Sequence, residues 1–198
     1  MERVEETAES RIRAEFDEHR RMADSFESLV EPLARAADMV AEAIRSGGTL
    51  LVCGNGGSAA DAQHIAAEFV GRYLKDRAPW PAIALTTNTS ALTAIANDYG
   101  FDEVFVRQVL AYGRTGDVLL AISTSGESPN VLRAVEAARA AGLLVIGMSG
   151  RGGGPLAGLC DVCLTVPVSS TPRIQEGHIT LAHILCGLVE EALCSERP

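Results

Sequence analysis

The chain has 198 residues, of which 47% are hydrophobic, and its formal net charge is −9. This length suits one domain with a sizeable core, and the negative charge argues against nonspecific nucleic-acid binding, which depends on lysine and arginine. The apolar runs are short and interrupted, and the charged N-terminus lacks a signal-peptide core. We therefore expect a cytoplasmic protein without a nucleic-acid partner or a membrane-spanning segment.

Residues from about 3 to 46 predict two helices, with a break at Glu31-Pro32 and an end at Gly47-Gly48. The first helix carries an apolar stripe among many charges, formed by Val4, Ile12, Phe16, Met22, Phe26 and Leu29. Such a stripe needs a surface to bury it. Another subunit is one surface that would bury it.

From residue 49 onward, apolar runs alternate with helical patterns. The runs predict strands over residues 50–53, 82–85, 118–122, 143–148 and 162–166, and a final helix is predicted over 173–193. This alternation indicates an α/β fold, a three-layer sandwich with a central five-stranded parallel sheet flanked by helices. Ligands of such folds bind at the carboxyl ends of the strands.

A glycine-rich turn, Gly54-Asn55-Gly56-Gly57-Ser58, follows the first predicted strand and opens a helix. Glycines allow a phosphate to approach the amide groups at a helix start. The turn is neither a P-loop nor a dinucleotide fingerprint, and a turn that only joins strand to helix is the alternative. On the same helix, His64 and Glu68 are four residues apart and therefore share a face, either as a catalytic pair or as a solvated surface pair.

A second turn, Ser123-Thr124-Ser125-Gly126-Glu127-Ser128, lies between the third predicted strand and a helix that begins at Pro129. Hydroxyl and amide groups at a helix start bind phosphate without a cation. Serine and threonine are also ordinary turn and capping residues, and Ser128 suits an N-cap. Four hydroxyl groups exceed what capping needs, so the turn favours a ligand.

The five cysteines do not form an even disulfide framework, and a core of this size needs none. Cys160 and Cys163 have redox or metal-binding spacing, but no second pair follows and the neighbouring residues alternate as in a strand. Buried structural cysteines are therefore favoured.

Taken together, five motifs resemble the phosphoheptose isomerases of the sugar isomerase (SIS) domain family, in order from about residue 31 to 193. They are the glycine-rich turn, His64-x-x-x-Glu68, Asn97-Asp98, Ser123-Thr124-Ser125-Gly126 and Arg173-Ile174-Gln175-Glu176. The resemblance implies one SIS domain over residues 1–198, with residues 1–46 as a helical extension that packs in the oligomer. It also implies an isomerase that converts sedoheptulose 7-phosphate to D-glycero-D-manno-heptose 7-phosphate by enediolate proton transfer. This reaction is the first step toward ADP- or GDP-heptose for lipopolysaccharide or capsule.

The resemblance also assigns roles to individual residues. Glu68 and His183 would be the acid/base pair, and the phosphate would be held by Ser123, Thr124, Ser125 and Ser128. The other substrate-binding residues would be Asn55, Gly56, Gly57, Glu68, Asn97, Asp98 and Gln175. One zinc ion per subunit would be bound by His64, Glu68, Gln175 and His183, although an amide oxygen such as that of Gln175 is a weak zinc ligand. The family further implies a homotetramer with active sites at subunit interfaces.

His178 lies on the same predicted helix as Gln175 and His183, and helical geometry alone does not separate it from His183. A packing role is favoured for His178, and a surface position for His19. Two other functions stay open. One is a non-catalytic SIS module that binds a phosphosugar or associates with the replication initiator, and the other is an isomerase of a shorter ketose phosphate. Glu68, Gln175 and His183 together favour catalysis.

Overall fold

The computed structural model describes residues 7–195 and begins with helix α1, Ala8–Asp24. A 3-10 turn, Ser25–Leu29, leads into helix α2, Val30–Arg45. The predicted break at Glu31-Pro32 is therefore placed too late, because α1 already gives way to the 3-10 turn at Ser25. Pro32 lies in the first turn of α2, where its missing N–H costs no hydrogen bond. Of the predicted first helix, residues 3–6 with Val4 lie outside the described residues.

Five parallel strands form one sheet in the order β2-β1-β3-β4-β5. The strands are β1 Leu50–Gly54, β2 Ala82–Ala84, β3 Val118–Ser123, β4 Leu144–Gly150 and β5 Val162–Val166. The connecting and final helices are α3 Gly57–Val70, α4 Thr89–Tyr99, α5 Val106–Tyr112, α6 Pro129–Ala140, α7 Gly154–Leu159 and α8 Thr171–Cys194. A short 3-10 turn, Phe101–Glu103, precedes α5. The predicted fold class and all five strands are confirmed.

Each strand places alternate side chains on opposite faces of the sheet. Leu50 and Val52 pack in the core that α2, α3 and α8 cover, whereas Leu51 and Cys53 pack in the core on the other face. That second core is covered by α5, α6 and α7. The sheet is thus buried between two helical layers, as its continuous apolar strands predict.

The strand order reverses beside β1, since the chain passes first to β2 on one side and then to β3 on the other. Gly54 at the end of β1 is in register with Ile122 of β3. The turn of residues 54–57 and the turn of residues 123–128 therefore begin side by side. Such a switch point is where open α/β sheets bind ligands.

Helix α8 is the one helix within residues 7–195 that is long and apolar enough to cross a membrane by length and composition, which the sequence analysis did not anticipate. In this protein it is a core helix. Ile174, Leu181 and Leu185 are buried in the core beside the sheet. Of the most apolar 18-residue stretch of α8, 44% is buried. Core helices of soluble proteins can have this same length and apolar composition.

Candidate active site

The glycine-rich turn after β1 packs closely against α8. Gly56 has a φ of +56°, which glycine adopts readily. A Cβ atom on Gly57 would lie 2.2 Å from Nε2 and 2.5 Å from Oε1 of Gln175. Glycine at position 57 therefore makes room for the Gln175 amide at the start of α3.

The same turn is tied to α6 by a pair of amides. Asn55 Nδ2 donates to Asn130 Oδ1 at 2.8 Å, and Asn130 Nδ2 donates to Asn55 Oδ1 at 2.9 Å. Asn130 is buried in the first turn of α6. The sequence analysis did not find Asn130, although asparagine directly after a Ser-Pro helix start is a weak helix former and a usable signal. Asn55 thus braces the two turns against each other.

The serine and threonine side chains of the second turn form a hydroxyl cluster. Ser123 Oγ lies 2.9 Å from Ser128 Oγ and 3.4 Å from Ser125 Oγ. Ser128 occupies the N-cap position of α6, yet its side chain makes no capping hydrogen bond. The predicted N-cap position of Ser128 is confirmed, but its hydroxyl contacts Ser123 instead of capping the helix. The half-exposed Thr124 lies in the same turn.

His64, Glu68 and His183 form a second cluster, between α3 and α8. His64 Nε2 lies 2.9 Å from His183 Nε2 and 3.3 Å from Glu68 Oε1. One ligand atom from each of the three residues falls within 4.8 Å of the others, a spacing that suits a metal ion. The ring of Tyr73 stacks on His183, with 5.9 Å between centroids. The two residues of the α3 pair are therefore partners of α8 and not merely a solvated surface pair.

Asp61 lies one turn before His64 on α3 and is buried, with Oδ2 unpartnered. Burial raises the pKa of Asp61, while a hydrogen bond from Gln175 and the charge of His64 oppose that rise. A carboxylate only accepts hydrogen bonds, so Gln175 donates through its NH₂ group and its Oε1 is left for another partner. Sequence reasoning missed Asp61, although it shares a helix face with His64 and Glu68.

A buried ion pair holds the end of α3 and Tyr73 next to the cluster of His64, Glu68 and His183. Arg77 and Glu190 meet at 3.2 Å, and both side chains are almost fully buried. Arg77 also donates to the carbonyl groups of Glu68 and Phe69, at the end of α3. Glu190 accepts from the N–H groups of residues 73–75, which positions Tyr73 against His183. Although burial raises the pKa of Glu190, these amides and Arg77 outweigh it and lower the pKa.

An open groove of about 660 Å³ begins beside His183. Its wall includes Tyr73, Lys75, Thr180 and Glu191. The hydroxyl cluster of residues 123–128 is not part of this wall. The groove therefore gives the His183 side of the site access to solvent or to a neighbouring molecule.

Asn97 and Asp98 lie exposed at the end of α4. Asn97 Nδ2 donates to Asp98 Oδ1 at 2.8 Å. This contact joins the two residues to each other and does not bring them beside the histidines. Their predicted contact with sugar stays a prediction.

The other two histidines are accounted for without a catalytic role. His178 is fully buried, its Nε2 donates to the Ser149 carbonyl at 3.0 Å, and burial lowers its pKa to about 4. This agrees with the packing role expected for it. His19 is about half exposed, as expected, and pairs with Glu176 at 2.8 Å.

The parallel sheet, with a glycine-rich and a hydroxyl-rich turn at its switch point, places the chain in the class of SIS domain proteins, and the SIS domain model matches residues 16–150. The phosphoheptose isomerase of Rhodospirillum rubrum is 63% identical over 163 residues, which make up 82% of this chain and 87% of that protein. The solved phosphoheptose isomerase of Neisseria gonorrhoeae is 50% identical with a TM-score of 0.89, over 93% of this chain and 100% of that chain. The phosphoheptose isomerase of Francisella tularensis is 36% identical with a TM-score of 0.90, over 93% of this chain and 99% of that chain. The chain therefore belongs to the phosphoheptose isomerase family.

Proposed function

We propose that this protein is an isomerase that converts sedoheptulose 7-phosphate to D-glycero-D-manno-heptose 7-phosphate, the first step toward activated heptose for lipopolysaccharide or capsule. Family membership supports the substrate class. The observation that carries the chemistry is the convergence of Glu68, His64 and His183, three proton-transferring or metal-ligating groups within 4.8 Å. A soluble cytoplasmic location is proposed with it.

The phosphate is proposed to bind at the hydroxyl cluster. Ser123, Thr124, Ser125 and Ser128 supply O–H donors, and the start of α6 adds main-chain amides and the positive end of the helix dipole. The Ser128 hydroxyl does not cap the helix but contacts the Ser123 hydroxyl, so both can turn toward an anion together. Gly56 and Gly57 let the sugar approach the start of α3, and Asn97 and Asp98 are proposed as further sugar contacts.

Moving the carbonyl from C2 to C1 requires removal of a proton from C1 and delivery of one to C2. We assign the base to Glu68, which is half-buried and held from behind through Arg77. We assign to His183 the transfer of the proton between the two sugar oxygens. The stacked Tyr73 fixes the plane of its ring.

The donor set fits zinc. Zinc prefers imidazole nitrogens and carboxylate oxygens as ligands. The site offers the Nε2 atoms of His64 and His183, which are 2.9 Å apart, and Glu68 Oε1, which is 3.3 Å from His64 Nε2. Gln175 would be the fourth ligand, because Asp61 directs its amide group and leaves its oxygen available. When bound, zinc would act as a Lewis acid that polarises the sugar oxygens. One ion per subunit is proposed.

A homotetramer with active sites between subunits is proposed as the working form. The groove at His183 is open, and apolar side chains remain exposed on α1. We further propose that the chain is a single SIS domain whose N-terminal helices contact other subunits. Within the chain, however, Leu33, Val40 and Ile44 of α2 are part of the core beside the sheet. The apolar side chains of α1 that stay exposed for the oligomer are Ile12 and Phe16.

A phosphosugar-binding module is the second candidate function, because the hydroxyl cluster serves binding alone equally well. Binding alone does not require an acid/base cluster such as His64, Glu68 and His183, nor the neighbours that position it, which are Asp61, Tyr73 and the Arg77–Glu190 ion pair. This elaborate support favours catalysis.

The test is incubation of the zinc-loaded protein with sedoheptulose 7-phosphate in D₂O, followed by NMR. We expect the aldose heptose phosphate to form with deuterium at C2, and Glu68→Gln to lose turnover by at least about 100-fold. Glu18→Gln, which changes a half-buried glutamate of α1, is the matched control and should turn over normally. If the wild-type protein binds the sugar without converting it, the binding module is correct. Conversion of a shorter ketose phosphate instead would change the substrate.

A further inference from the structure

Two cysteines outside the proposed active site lie next to each other. Cys160 follows α7 and Cys163 lies in β5, and both are free and partly exposed. A Cβ atom built on Gly147 of β4 would lie 2.7 Å from the sulfur of Cys160 and 3.0 Å from the sulfur of Cys163. The two sulfurs therefore share the space above Gly147, where any other residue would place a side chain.

The two thiols have unequal surroundings. The Thr165 hydroxyl donates to Cys163 Sγ at 3.5 Å, and Ser149 Oγ lies 3.5 Å from the same sulfur. A hydrogen bond from the Cys160 thiol, helped by these hydroxyl groups, lowers the pKa of Cys163 to about 6 against the opposing effect of burial. That hydrogen bond and burial raise the pKa of Cys160. Cys163 is thus the nucleophile of the pair and Cys160 holds its proton.

The other cysteines lack this arrangement. Cys53 and Cys186 are buried, and burial raises the pKa of each to about 12. Cys194 is the last residue of α8, and the next cysteine on that helix, Cys186, lies about two turns away. Reactivity toward disulfide reagents is therefore expected at one place in the described chain, the dithiol of Cys160 and Cys163.

We propose that Cys160 and Cys163 are a redox-active dithiol that low-molecular-weight disulfides oxidise reversibly to an intramolecular disulfide. The Cys163 thiolate attacks one sulfur of the reagent, whose S–S bond breaks and releases one thiol. Cys160 then attacks the Cys163 sulfur, the mixed disulfide breaks, and the second thiol leaves. Two cysteine thiols lose two electrons and two protons, and the reagent disulfide is reduced to two thiols.

Cys163 and His178 of α8 both contact Ser149 of strand β4. Ser149 contacts Cys163 through its hydroxyl, and its carbonyl accepts the hydrogen bond of His178 on α8. Helix α8 carries Gln175 and His183. Closing the disulfide would thus change the surroundings of a residue that holds α8 to the sheet.

The test uses the full-length protein and oxidised glutathione, followed by alkylation of remaining thiols and peptide mapping. We expect the peptide that contains positions 160 and 163 to lose both alkylation sites and to regain them with dithiothreitol. Cys160→Ser should accumulate a glutathione adduct at position 163. Cys163→Ser should react at least about 10-fold more slowly at pH 7, because it lacks the thiolate.

Cys194→Ser is the matched control, and it should leave the rate of disulfide formation unchanged. The mapping of the wild-type protein is decisive even if a variant fails to fold. Persistence of both free thiols, a stable glutathione adduct on wild-type Cys163, or equally fast reaction at Cys194 would each overturn the proposal.

Discussion

His64 Nε2 and His183 Nε2 are 2.9 Å apart, although 119 positions separate the two residues in the chain. At this distance the nitrogens share one proton or bind one cation, because two bare lone pairs repel each other. The carboxylate of Glu68, whose Oε1 is 3.3 Å from His64 Nε2, adds a negative charge beside the two histidine nitrogens. The arrangement predicts a site for a divalent cation.

The first prediction concerns metal binding. We expect the protein to bind about one zinc ion per chain, and His64→Gln to weaken zinc affinity by at least about 100-fold. Isothermal titration with metal-buffered zinc measures the affinity directly, without reference to activity. His19→Gln, which changes an exposed histidine of α1, is the matched control and should bind zinc as the wild type does. Equal affinity of the two variants would remove His64 from the site.

The second prediction concerns the contact between Gly57 and Gln175. Gly57→Ala would place a methyl group 2.2 Å from Gln175 Nε2, so the amide must move. Because displacements of about 1 Å in an active site cost on the order of 100-fold in rate, we expect kcat/KM to fall by about that factor. Gly158→Ala is the control, since a Cβ there meets nothing within 4 Å. Unchanged kcat/KM in Gly57→Ala would show that the position of Gln175 does not matter.

The third prediction separates phosphate binding from helix capping. The Ser128 hydroxyl does not cap α6, so Ser128→Ala should change the stability of the protein little. Loss of one hydrogen bond to a charged phosphate should raise KM for the sugar phosphate about 10-fold with kcat nearly unchanged. Thr7→Ala removes a hydroxyl that does cap a helix, and KM should stay unchanged. A KM equal to that of the wild type in Ser128→Ala would exclude a phosphate contact.

The sequence predicted the sheet well because buried parallel strands are short apolar runs bounded by turn residues, as in 162–166, where prediction and structure coincide. It also singled out His64, Glu68 and the serine turn as candidate site residues, because these signals are local. Asn130, Asp61 and the Arg77–Glu190 pair were missed. Asp61 does share a helix face with His64 and Glu68, but the role of each missed residue depends on a partner from a distant part of the chain, which a single sequence does not show. The 3-10 turn of residues 25–29 was not predicted, because Pro32 suits the first turn of a helix that begins at Val30 as well as one that begins at Pro32 itself.

The fourth prediction concerns pH. His178 has a pKa of about 4 in the folded protein against 6.5 for the ordinary side chain. Between these values the unfolded chain binds a proton that the folded protein does not, so stability is fully present above pH 6.5 and is lost as pH falls toward 4. The difference corresponds to about 3 kcal/mol.

Urea unfolding between pH 7.5 and pH 4.5 measures this effect. The free energy of unfolding of the wild-type protein should fall with pH, and His178→Gln should show a shallower dependence. Glutamine supplies an N–H donor for the Ser149 carbonyl without titrating. His19→Gln is the control and should keep the wild-type slope. Parallel curves for wild type and His178→Gln would mean that another group causes the acid sensitivity.

The fifth prediction concerns assembly. Ile12 and Phe16 of α1 are 55% and 59% exposed, whereas Met22 on the same helix is buried against the core. An apolar stripe left uncovered on a charged helix is typical of a subunit contact. Replacing both exposed residues by glutamate should reduce the proposed tetramer to a smaller species in light scattering. Deleting residues 1–46 is a poorer test, because it also removes α2 from the core beside the sheet.

Leu144→Thr, at the amino end of β4 and thus at the opposite end of the strands from the site, is the control for a change in an exposed apolar residue. Its molar mass should equal that of the wild type. Activity should fall together with molar mass in the α1 variant, since an interfacial site is incomplete in a lone subunit. A smaller species with full activity would place the whole active site within one chain, and an unchanged mass would show that α1 does not hold the subunits together.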